Sequence, residues 1–263
     1  LGRSAERVLG SALDIGVLVE REGRLEMHPL ARAFFDERRD QGSLPVPVQT
    51  IERCLEMMRE QRDWDAAFDL VVRQSLLGQL PSLLTEALDE LLDTARLSTI
   101  EAWCNYADET HLTDQIFALG RAEIALRRGQ CAEAEARGVS IASDPSPVQF
   151  RALVVAGRAA HLASREEEAL ELFRRAEAAA SSESSRREVL WDQLYCMTDL
   201  ELPEASATLE ELAGKVEFRN TREVVKAETC RLLWQLRFGQ LALSRADRAA
   251  QLLDDAVARR QAE

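Results

Sequence analysis

Apolar positions recur at helical spacing along most of this chain, and short extended runs appear only near the N-terminus. In residues 4–18, SAERVLGSALDIGVL, the side chains of Val8, Leu9, Ala12 and Leu13 fall on one helical face. Two brief extended runs follow, Val17-Leu18-Val19 and Leu25-Glu26-Met27-His28, on either side of a charged turn centred on Gly23. That order predicts a β-hairpin. Pro29 then opens PLARAFFDERRD, where a proline suits the first helical turn because its missing N–H would be unbonded anyway. Gly42, Pro45 and Pro47 predict a break. From residue 48 onward the pattern predicts only helices and short breaks. VQTIERCLEMMREQ is amphipathic, Asp63 is placed to cap DWDAAFDLVVRQSLL, and Ser98 with Glu101 and Ser185 with Glu188 have capping-box spacing.

A second, longer period lies over the first. Ala134, Gly138 and Ile141 are echoed by Ala169, Phe173 and Ala176, and again by Ala205, Leu209 and Leu212. The leading alanines are 35 and then 36 residues apart. The small residue expected in each preceding helix falls at Ala122 and Gly157, but at Gln193 in the third unit, and Ala67 has the same character earlier in the chain. Small side chains at fixed intervals let paired helices approach closely, which is the signature of tetratricopeptide-type repeats. Ser164 is expected to cap the second helix of the clearest unit, AGRAAHLASREEEALELFRRAEAAA. The last pair, TREVVKAETCRLLWQLRFG and QLALSRADRAAQLLDDAVA, is helical in pattern without a fixed register. The expected fold is all-α: an α-solenoid of tetratricopeptide-like helical hairpins preceded by a partial winged-helix segment. Its expected divisions are residues 1–42, 43–112 and 113–263.

Composition narrows the function classes. The 263 residues are 46% hydrophobic and 30% charged, with a net charge of −13. No basic stripe is available to displace counterions from phosphates, so direct nucleic-acid binding by this region is not expected. No apolar run reaches the roughly 18 residues that span a bilayer, and charge interrupts the first residues throughout, so neither membrane nor signal peptide is expected. Cys54, Cys104, Cys131, Cys196 and Cys230 are dispersed and lack CxxC spacing. Buried thiols in a reducing, cytoplasmic setting are the expectation. No Cys, His, Asp or Glu cluster shows metal-ligand spacing, so no zinc site is expected, and three scattered histidines suggest no catalytic constellation. No enzyme activity and no metal are expected of this chain. Runs such as Glu166-Glu167-Glu168 suit the first turns of helices.

Projecting the repeat register onto a concave face places Glu123 and Arg127 there from one unit, Arg151, Arg158 and His161 from the next, and Arg187 and Leu194 from the third. Arginines grouped this way can bind a carboxylate or phosphate effector. They can equally pair with neighbouring glutamates.

Two stretches carry a family resemblance. DIGVLVEREGRLEMHPLARAFFDERR, with His28-Pro29-Leu30 and Phe34-Phe35, resembles the winged helix of signal-transduction ATPases with numerous domains. It is most similar to the maltose-activator-like branch, the large ATP-binding LuxR-type transcription regulators. DWDAAFDL and ARLSTIEAW resemble the helical segment that follows in that branch. The resemblance implies a regulatory, effector-sensing region whose own ATPase domain and C-terminal DNA-binding domain lie outside residues 1–263. Within those residues there is no GxxxxGK[ST] loop. ATP or ADP is therefore a cofactor expected of a longer protein and not of this region. Met27-His28-Pro29 resembles the Met-His-Asp motif whose histidine contacts the β-phosphate of ADP, with proline in place of the acidic residue. The resemblance thus gives His28 a nucleotide-sensing role alongside a plainly structural one. The implied partners are an effector or regulatory protein in the groove, the ATPase domain, and possible copies of the protein itself. The other reading is a stand-alone adaptor whose groove holds a peptide.

Overall fold

The structure, a computed structural model, describes residues 3–21, 24–40, 47–214 and 221–237, together with 250, 251 and 254. Most of the second member of the last predicted pair lies outside the described residues, as do Gly23, Gly42 and Pro45. The fold is an all-α helical solenoid with one two-stranded sheet among the described residues. The chain divides into two compact units, residues 1–74 and 75–263.

The first unit begins with α1 (Arg3–Asp14), followed by β1 (Leu18–Arg21) and β2 (Arg24–Met27). The strands pair antiparallel, with Leu18 opposite Met27 and Arg21 opposite Arg24. The His28 amide extends this ladder by donating to the Val17 carbonyl at 2.9 Å. Pro29 opens α2 (Pro29–Asp40), as its fixed φ and missing donor favour. Then come α3 (Val48–Glu60) and α4 (Trp64–Arg73). Asp63 caps α4 as expected, its carboxylate accepting from the Ala66 amide. Val8, Ile15, Leu30 and Phe34 are exposed in this unit.

The second unit is a run of antiparallel hairpins: α5 (Leu80–Asp93) with α6 (Leu97–Glu109), α7 (Gln115–Arg127) with α8 (Cys131–Ile141), α9 (Gln149–Leu162) with α10 (Glu166–Ala179), and α11 (Glu183–Asp199) with α12 (Glu204–Gly214). α13 (Thr221–Arg237) packs on α12. Each helix packs on the next, and the first helices α5, α7, α9 and α11 also touch in succession. The second helices make no comparable contact with one another among the described residues. Closer stacking of one layer puts the first helices on the inner side of the stack.

The periodic small and apolar residues lie at the helix crossings. Ala134, Ala169, Ala176 and Ala205 are fully buried, and Ile141, Phe173, Leu209 and Leu212 are buried beside them. The crossings are tight enough to require the missing side chains. A Cβ on Gly138 would stand 2.6 Å from the Ala152 carbonyl oxygen, and one on Gly157 would stand 2.5 Å from the Phe173 ring. Gln193, the exception to the small-residue rule, is also buried, and its amide donates to the Phe173 carbonyl and the Glu177 carboxylate. Trp64, Trp103 and Trp191 are buried, in keeping with packing between helices.

The hairpin turns share one backbone device. Arg62, Ala95, Gly129, Ser164 and Glu201 all have φ between 55° and 73°, one at each hairpin tip, and His111 repeats it between α6 and α7. After each, the next amide reaches back across the helix end: Arg96 to Leu91, Gln130 to Ala125, Arg165 to Ala160, Leu202 to Met197. These are Schellman closures, which satisfy the last carbonyls of the helix.

Three expected caps are corrected, two of them by these closures. α6 starts at Leu97, so Ser98 lies inside the first turn and no side chain caps the helix. Ser164 occupies the left-handed turn position and α10 begins at Glu166, leaving it unable to cap. α11 begins at Glu183, and the cap is Ser182, whose hydroxyl accepts from the Ser185 amide. In a turn this short the backbone closure decides where the next helix starts, whatever side chain stands there.

Candidate functional site

α9 is the centre of the inner layer. Its buried face, Ala152, Val155, Ala156, Ala159 and Ala160, binds it to its neighbours. Its inner face carries Arg151, Arg158 and His161, the three residues the sequence singled out on this helix. Arg151 bridges to both earlier first helices: Nε donates to Glu123 Oε1 at 2.7 Å and Nη1 to Asp89 Oδ1 at 2.5 Å. Arg158 turns the other way, donating to Asp192 Oδ2 at 2.8 Å and Glu188 Oε1 at 2.9 Å on α11. Burial works against the charge on both arginines, but the paired carboxylates outweigh it and raise both pKa values. Glu123 is buried beneath Arg151.

The predicted groove residues therefore separate into two groups. Arg151, Arg158, His161 and Glu123 belong to one ladder of cross-helix contacts. Arg127 is exposed at the end of α7, Arg187 is half-buried on α11, and Leu194 is buried in the helix packing. For Arg151 and Arg158, the alternative in which the arginines pair with acidic neighbours is the arrangement observed. Each of the two takes two carboxylates, so these two contact groups carry a negative surplus.

His161 ends the ladder differently. Its Nδ1 lies 2.5 Å from Glu166 Oε2, across the α9–α10 turn, and 3.8 Å from Cys196 Sγ on α11. One ligand-type atom from each of His161, Glu166 and Cys196 lies within 4.8 Å of the others. Cys196 is fully buried. Burial, reinforced by the Glu166 carboxylate, pushes its thiol up to about 12. Local spacing rules missed this cluster because its members come from three helices. The long period could have found it: His161 and Cys196 are 35 residues apart, about one repeat.

In the first unit, a pocket of about 550 Å³ lies between the hairpin and the start of α2, lined by Arg21, Glu26, Met27, His28, Arg32 and Asp36 among others. His28 is exposed, and its Nδ1 accepts from the Leu30 amide at 3.3 Å, at the first turn of α2. No helix among the described residues is long and apolar enough to cross a membrane. No protein-family model matches this sequence, and comparison with curated proteins and with solved structures returned no match.

Proposed function

We propose that this chain is the regulatory region of a signal-transduction ATPase of the maltose-activator-like type, controlling an ATPase switch and a DNA-binding domain outside residues 1–263. The observation that carries the reading is the order of parts: a helix–hairpin–helix with His28-Pro29-Leu30 at its strand-to-helix junction, then a stack of tetratricopeptide-like hairpins. His28 stands exposed beside a pocket lined by Arg21 and Arg32 as well as Glu26 and Asp36, and its imidazole is placed to meet a phosphate brought by another domain. The exposed apolar residues of α1 and α2, among them Val8 and Leu30, suit a cover such as the ATPase domain.

The inner face of the stack is the effector surface in this reading. Arg151 and Arg158 are engaged by carboxylates, so a neutral or cationic effector with hydrogen-bond donors fits beside them better than a carboxylate or phosphate. Binding there regulates only if the effector prefers one state of the switch over the other. The same negative surplus also favours a second reading, an adaptor holding a basic peptide segment.

The two readings part upstream of Leu1. The coding sequence there should contain a phosphate loop, and in a protein that includes it His28→Ala should weaken ADP binding about tenfold by fluorescence titration. A start codon immediately before Leu1, or ADP affinity indifferent to His28, would leave the adaptor.

A further inference from the structure

The cluster at the end of the inner ladder has a donor set of its own. It brings together an imidazole, a carboxylate and a thiol from three successive helices, α9, α10 and α11. We propose that His161, Glu166 and Cys196 form a three-ligand zinc site with a fourth position open to water.

The ligand types select the metal class. Thiolate and imidazole together favour zinc over magnesium or calcium, which take oxygen donors. Three protein ligands with one solvent position is a common zinc arrangement. On binding, the Cys196 thiol gives up its proton to solvent, and the thiolate and the Glu166 carboxylate then carry two negative charges, which a divalent cation balances. Among the described residues no arginine or lysine is paired with Glu166. That separates it from Glu123, Glu188 and Asp192, each held by an arginine.

The geometry is close to what the metal needs. Tetrahedral zinc with ordinary bond lengths keeps its donors about 3.3–3.8 Å apart. The Cys196–His161 separation of 3.8 Å falls within that span. His161 and Glu166, now 2.5 Å apart in a hydrogen bond, must part by about 0.8 Å to admit the ion, which a small side-chain rotation supplies.

The backbone beneath is fixed. The Ser164 amide donates to the His161 carbonyl at 2.9 Å and the Arg165 amide to the Ala160 carbonyl at 3.0 Å, so the turn sets Glu166 against His161. The thiol lies at the floor, while the His161 and Glu166 side chains are 31% and 18% exposed, leaving entry from solvent. A bound ion would tie the end of one hairpin to the first helix of the next.

The test is titration of the chelator-treated 263-residue chain with Co²⁺ and then Zn²⁺. One equivalent of Co²⁺ should produce a thiolate-to-cobalt charge-transfer absorption that Zn²⁺ abolishes, and Zn²⁺ should raise the thermal midpoint. Cys196→Ser should remove the absorption, and Glu166→Gln, which keeps the first turn of α10, should weaken Zn²⁺ binding at least about tenfold. Helical circular dichroism shows whether each variant is folded; should Cys196→Ser unfold, Glu166→Gln decides. Absence of saturable binding, an absorption that survives in folded Cys196→Ser, or unchanged affinity in Glu166→Gln would each overturn the proposal.

Discussion

At Gly138 the chain has no room for a methyl group. Alanine is the better helix former by about 1 kcal/mol, yet its Cβ would press on the Ala152 carbonyl, which is backbone and cannot swing away. Overpacking should prevail, and Gly138→Ala should lower stability by about 1–3 kcal/mol in urea unfolding. Gly10, in α1, has nothing within 4 Å of the same atom, so Gly10→Ala should stabilise its helix by about 0.5–1 kcal/mol. The sign reverses at Ala95. Its backbone is left-handed, a conformation costing an L-residue about 1–2 kcal/mol that glycine avoids. Ala95→Gly should therefore raise the urea midpoint.

Cys104 makes a prediction about pH. Burial, opposed in part by Arg121, holds its thiol at about 11 against an ordinary 9.0. The unfolded chain ionises first, so the stabilising contribution is complete below pH 9 and is lost as pH rises toward 11. That loss is on the order of 2–3 kcal/mol. Urea titrations at several alkaline pH values should show a shallower decline in Cys104→Ala.

Between helices, the Arg151 bridge decides more than either partner alone. Arg151→Met would strand Glu123, which is 5% exposed, without its counter-charge, and should cost about 3 kcal/mol. Adding Glu123→Gln should recover a good part of that loss, and a double-mutant cycle in urea reads the coupling directly. Here the sequence was legible in part. Helix periodicity located α2 to its first residue, because a proline ahead of an apolar helical run fits the first turn and not the helix interior, and the 35-residue period located the crossings. The caps at Ser98, Ser164 and Ser185 were misplaced because backbone closure at Ala95 and Ser164 fixed α6 and α10, while Ser182 capped α11. The partners of Arg151 and Arg158 were out of reach of local rules, since they lie on helices about one repeat away or, for Asp89, nearly two.

Across the whole chain, stability should be distributed rather than shared. Each hairpin of the second unit packs on its immediate neighbours, so a defect at one crossing reaches only the next. Hydrogen exchange of Gly138→Ala should quicken amides of α7–α10 and leave those of α1–α3 at their original rates. Uniform quickening throughout would mean that the two units unfold as one.

The left-handed tips carry a further consequence. Five of the six such positions hold an alanine or a polar residue, Arg62, Ala95, His111, Ser164 and Glu201, and each hairpin closes through main-chain bonds that ignore what the side chain is. These side chains are all exposed. A lineage of such proteins could therefore exchange a cation for an anion or an imidazole at any tip while every helix kept its start, its end and its neighbour.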